Sequence, residues 1–113
     1  FELVVKNVYI LTVNIAGLKV GGTVGELWTR HQDLAREVAE DIMDIQFRLI
    51  TKELDRQKLI ECMVKALNGD LDHKCMGRSA PARLKRAISQ ADEFGLQAKT
   101  LREISEYKDQ TVV

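Results

Sequence analysis

Residues 3–20 run LVVKNVYILTVNIAGLKV, and the way this stretch folds decides whether the chain is all-α or carries β structure. Val4, Val5, Val8, Tyr9, Ile10, Val13, Ile15 and Val20 are β-branched or aromatic, the types that favour strands, and Thr12 and Asn14 punctuate Val8–Ile15 with polar positions. The expectation is a strand. Ala16-Gly17 is placed to turn the chain back into Leu18-Lys19-Val20, giving a short β-hairpin within residues 1–22. Two strands alone are marginal in water, so the helices or another chain must cover them. The apolar run Val8–Leu18 is interrupted by Thr12, Asn14 and Gly17 and falls short of the ~20 residues that span a bilayer; no membrane association is expected. Residues 1–22, read as strand, lack the features of a secretory signal, which places the protein in the cytoplasm. The chain opens on Phe1 and not on Met, as expected of a trimmed chain or a piece of a longer one.

Gly21-Gly22 ends the N-terminal segment, and Thr23-Val24-Gly25-Glu26 has the Thr and Glu of a capping box, each satisfying a free amide at a helix start. From there Leu27, Leu34, Val38, Ile42, Ile45 and Leu49 recur at spacings of 7, 4, 4, 3 and 4, one stripe on an α-helix. Arg36, Glu37, Glu40, Asp41 and Asp44 fill the other faces, where the carboxylates are expected to be solvated. The pattern predicts a helix of about 27 residues, roughly 40 Å long at 1.5 Å per residue, more than a domain of this size spans. Such a stripe overhangs its own core and is completed by a second copy, by a partner helix, or by antiparallel packing of the following helices of the same chain. Met43 and Phe47 widen the apolar face, and Trp28 beside Leu27 caps the core or anchors an interface. The candidate interaction residues are therefore Trp28, Leu34, Val38, Ile42, Ile45 and Leu49.

The stripe lapses over Thr51–Lys58, where Leu54 alone is apolar, and resumes at Leu59, Ile60, Met63, Val64 and Leu67 before Asn68-Gly69 closes it. A corner is expected near Leu54-Asp55. Residues 69–79 read as a polar loop; Ser79 is an N-cap with Pro81 in the first turn of a helix to about Glu93, and Gly95 separates this from a last helix, Gln97 to about Lys108. The predicted fold is mainly α: an N-terminal strand or short β-hairpin, one long amphipathic helix and about three shorter helices, in a single helical interaction domain over 1–113.

Hydrophobic residues make up 45% of the 113 and charged residues 30%, with one Pro, a composition that folds around one core and is not disordered. Seventeen basic residues cancel seventeen acidic ones, so no whole-molecule field recruits nucleic acid. The charge is nevertheless two-ended: His73–Arg102 carries seven basic and two acidic residues (+5), Val24–Asp55 four basic and eight acidic (−4). Within the basic half, Ala91, Phe94, Gly95, Leu96, Leu101 and Ile104 reproduce a helix-turn-helix skeleton, with Gln90 standing where an apolar residue is usual. On that skeleton Gln97, Lys99 and Arg102 face bases, and Arg78, Arg83, Lys85 and Arg86 reach phosphates, while Glu103, Glu106 and Asp109 repel them. Alternatively the basic residues pair with the acidic helix, within the fold or between chains.

Catalytic and metal signals are weak. His73-Lys74-Cys75 with His31 and Cys62 lacks the closely spaced ligand pairs of a zinc site, and Lys74 stands where a calcium loop opened by Asp70-Leu71-Asp72 needs an oxygen. Cys62 on an apolar helical face and Cys75 in a polar loop read as reduced structural thiols. Gly17, Gly21, Gly22 and Gly25 follow neither phosphate-loop nor dinucleotide spacing, although a glycine-rich turn before a helix offers amides to an anion. No cofactor is expected. The leading expectation is a non-catalytic interaction or regulatory module that binds a like or unlike chain; the alternative is a helix-turn-helix DNA-binding regulator, with an enzyme third.

Overall fold

The computed structural model describes the backbone of residues 1–110 and the side chains of residues 1–107, so Asp109 lies outside the described side chains. Six helices follow one another: α1 (Glu2–Val20), α2 (Val24–Arg30), α3 (Gln32–Ile50), α4 (Arg56–Asn68), α5 (Ala80–Phe94) and α6 (Lys99–Gln110). Among the described residues there is no strand, only an isolated antiparallel bridge between Thr23 and Lys74.

The expected N-terminal strand is thus helix α1. Val4, Val8, Thr12 and Ile15 succeed one another at spacings of 4, 4 and 3, the helical period, and Val13, Ala16 and Gly17 are buried beside them. α1 packs against each of the other five helices. A helix that packs against five others carries apolar residues on most of its faces, which erases the amphipathic signal and leaves β-branched content as a misleading one. A helix also satisfies its backbone groups internally, whereas a strand in this bundle would find no partner. By length and composition α1 is long and apolar enough to cross a membrane, contrary to the expectation that no stretch is; in this fold Val4, Val8, Val13, Ile15 and Ala16 join the core while Leu3 is exposed.

The long second helix is in fact two. The capping box forms as expected, with Glu26 N donating to Thr23 Oγ1 and Thr23 N to Glu26 Oε1, but it opens the seven-residue α2. α2 and α3 meet at His31, whose backbone (φ −133°, ψ 37°) is non-helical. The break falls in the gap between Leu27 and Leu34, where Thr29-Arg30-His31-Gln32-Asp33 supplies no apolar anchor. α3 alone has 19 residues, about 28 Å at 1.5 Å per residue, within the molecule's longest extent of 39 Å. No overhang remains. Val38, Ile42 and Ile45 are buried, Leu34 is half-buried, and Leu49 is 46% exposed, so the stripe leaves the core at its C-terminal end.

The C-terminal helices lie close to where the caps put them. Asp55 caps α4, its carboxylate accepting from Lys58 N at 3.2 Å, and Arg56 ties that helix to Glu40 and Asp44 of α3 while lying over the Phe47 ring. Ser79 holds the N-cap position of α5 without a side-chain cap bond, and Pro81 sits in the first turn. The intervening loop is pinned to the start of α2: Val24 N donates to His73 O (2.8 Å), Gly25 N to Leu71 O (2.9 Å), and Cys75 N to Gly22 O (3.0 Å). Cys75, expected in a polar loop, is buried because Gly17 has no side chain; a Cβ there would stand 2.6 Å from that of Cys75. Burial, with Glu26 adding to it, pushes the Cys75 thiol up to about 11. All six helices feed one core, with Val8, Leu27, Ile42, Met63, Leu84 and Leu101 contributing.

Candidate functional site

Where the α3 stripe leaves the core, α1, α3 and α5 fail to close on one another and bound an open groove of about 450 Å³. Its apolar surface comes from Ile10 and Leu11 of α1 and from Leu49 and Ile50 at the end of α3. Leu49 and Ile50 are 46% and 39% exposed, the only adjacent pair of large exposed apolar residues on one described helix. α5 supplies the opposite rim, Arg83 and Arg86, with Ala87 and Gln90 a turn further on. Asn7 Nδ2 donates to Gln46 Oε1 at 3.2 Å, and Arg83 Nη1 donates to Asn14 Oδ1 at 2.9 Å, which holds that guanidinium against α1. Among the described residues no carboxylate lines the groove.

The residues expected to form an interface separate into two groups. Val38, Ile42 and Ile45 are interior residues of the chain's own core, as a stripe covered by the following helices of the same chain would be. Leu49 reaches the groove. Leu34 and Trp28 pack half-buried on the core, Trp28 with the Arg36 guanidinium 5.2 Å from its ring centre. A strand over residues 3–20 hides Ile10 and Leu11 as site residues, whose signal is the spacing of Asn7, Ile10, Leu11 and Asn14 on one face of a helix, and Ile50 lies just outside the stripe that ends at Leu49.

The α5–α6 hairpin exists. Gly95 adopts the left-handed conformation (φ 68°) that a residue without Cβ enters freely, and Leu96 N closes the turn on Ala91 O at 2.8 Å. Ala91, Leu101 and Ile104 are buried between the helices. Arg102, however, is committed to this turn: Nε donates to Gln97 O at 2.7 Å, and Nη2 to Leu96 O at 3.1 Å and to Asp92 Oδ1 at 2.7 Å. Lys99 is exposed with Glu103 at 3.9 Å, and Gln97, Lys85 and Arg86 are exposed. Among the described residues none of Arg83, Lys85, Arg86, Lys99 and Arg102 pairs with a carboxylate of α2 or α3; that role falls to Arg56.

Asp41, expected on a solvated face, is half-buried and caps α6 from another helix. Its Oδ2 accepts from Thr100 N at 2.9 Å and Leu101 N at 3.2 Å, replacing the cap that Ala98 cannot supply. Burial holds its carboxyl above the usual range, with Asp44 and Glu37 adding to the effect and the two amides offsetting part of it. The amides of the glycine-rich turn are likewise spent, on His73 O, Leu71 O and Thr23 Oγ1, which removes the anion-binding expectation there. Among the described residues no three His, Cys, Asp or Glu side chains converge as a metal site would require. No protein-family model, curated protein or solved structure matches the chain.

Proposed function

We propose that this chain is a non-catalytic interaction module whose partner-binding surface is the groove between α1, α3 and α5. The observation that carries the proposal is the exposed pair Leu49 and Ile50, continuous with Ile10 and Leu11 in a concave surface. Exposed apolar residues gathered in a cleft mark interaction sites, whereas scattered ones do not. Among the described residues the groove offers guanidinium and amide groups but no carboxylate, imidazole, thiol or hydroxyl to move a proton or attack a substrate, which supports binding over catalysis. The test compares proteins that co-purify with the intact chain and with its Leu49→Asp/Ile50→Asp variant, melting temperatures being measured alongside. Partners lost at an unchanged melting temperature support the proposal; the same partners retained by both chains sink it.

A helix-turn-helix regulator is the rival, and the α5–α6 hairpin is what favours it. Against it stand Arg102, whose guanidinium is occupied by its own turn, and Asp41, whose carboxyl sits on the first amides of α6, where a recognition helix approaches bases. Duplex DNA at micromolar protein and physiological salt is expected to stay unshifted. A shift that weakens steeply with salt, and less steeply in Arg83→Ala/Arg86→Ala, would restore the rival.

A further inference from the structure

The groove has a shape and a charge that select a class of occupant. Its walls are stripes of three helices: Asn7, Ile10 and Leu11 on α1, Gln46, Leu49 and Ile50 on α3, and Arg83, Arg86 and Gln90 on α5. Each stripe has the three- and four-residue spacing of one helical face, so an occupant of the groove meets three helical faces at once. An extended peptide would bring backbone donors and acceptors to walls whose own backbone groups are spent inside helices; a helix arrives with its backbone already satisfied.

Charge narrows the class further. Arg83 and Arg86 lie one turn apart on the same rim, and among the described residues no carboxylate lines the groove and Arg86 has no ion-pair partner. Arg83 uses Nη1 on Asn14 and keeps its other N–H groups for a second acceptor. Building on the interaction-module reading above, we propose that the groove receives a short amphipathic helix of another protein. Its apolar face seats on Ile10, Leu11, Leu49 and Ile50, and two carboxylates one turn apart on its flank meet Arg83 and Arg86. A second copy of this chain offers no such helix among the described residues: its other large exposed apolar side chains, Phe1, Leu3, Leu71, Met76 and Tyr107, form no row on one helix face flanked by carboxylates.

The probe is a labelled synthetic helical peptide with leucines spaced three and four apart and two glutamates one turn apart on one flank, titrated into the full chain at low salt. A matched peptide with glutamine at those two positions is expected to bind roughly tenfold more weakly, the scale of two exposed ion pairs. Arg86→Glu, at an exposed position and with its melting temperature checked, is expected to lose the preference for glutamate and to favour a lysine version of the peptide. Equal binding of the glutamate and glutamine peptides overturns the acidic-partner inference and leaves the groove reading standing. Failure of both peptides to bind overturns the helical occupant. Binding that survives Leu49→Asp/Ile50→Asp overturns the groove itself, and a dimeric mass in solution that reverts with that variant makes a second copy the occupant.

Discussion

Thr12 is 1% exposed, and its hydroxyl has no hydrogen-bond partner among the described residues. A buried, unsatisfied hydroxyl carries its desolvation cost uncompensated, whereas a methyl of similar size packs without it. Thr12→Val is therefore expected to raise the unfolding free energy by about 1 kcal/mol, measurable by urea denaturation; a loss of stability would mean that the hydroxyl is partnered. Asp41 is the converse, a polar group whose acceptor is used. Asp41→Ala removes the cap of α6 and is expected to cost about 1 kcal/mol, while Asp41→Asn keeps an acceptor oxygen and costs less. Because burial raises the Asp41 carboxyl above its ordinary value, the folded state holds this proton more tightly than the unfolded chain does. The contribution of the group is then greatest below the unfolded pKa and declines as pH rises through the folded one. The stability difference, Asp41 chain minus Asp41→Asn, should accordingly fall as pH rises from below the ordinary aspartate range into the range above it; a difference that rises there would reverse the assignment.

At the scale of the element, α3 carries both the core and the edge of the site. Ile42 is 1% exposed and Leu49 46% exposed, seven residues apart on one stripe. Ile42→Asp buries an unpaired charge at a cost on the order of several kcal/mol and is expected to unfold the chain. Leu49→Asp, at the groove, should stay within roughly 0.5 kcal/mol of the parent, as read from melting curves. Equal effects would mean that the stripe does not leave the core where the structure has it. The sequence marked α3 well because its pattern is amphipathic, one face inward and the other wet. It marked α1 poorly because that helix packs against all five others, so apolar residues stand on most of its faces and its β-branched residues serve packing and not a strand. The break at His31 was visible only as a missing anchor between Leu27 and Leu34, which a continuous helix tolerates equally well.

For the whole molecule, the Cα radius of gyration of 13.1 Å matches the ~13 Å of a compact chain of this length, and Val38, Ile42 and Ile45 of the α3 stripe are covered by the chain's own helices. Light scattering is therefore expected to return a mass near 12.8 kDa for the chain alone; a dimer that persists in Leu49→Asp/Ile50→Asp would place an assembly surface elsewhere. Local chemistry, read from sequence, determined the capping box at Thr23 and Glu26, the corner at Leu54-Asp55, the helix start at Ser79 and Pro81, and the turn at Gly95, because each depends on residues within a few positions of one another. Tertiary structure alone decided that residues 2–20 are the central helix, that Asp41 caps a helix 59 residues away, and that Arg83 crosses 69 residues to Asn14 beside a groove left open by three helices. Those outcomes turn on which faces remain uncovered once every helix has found its neighbours, and residues distant in sequence settle that only when the core closes.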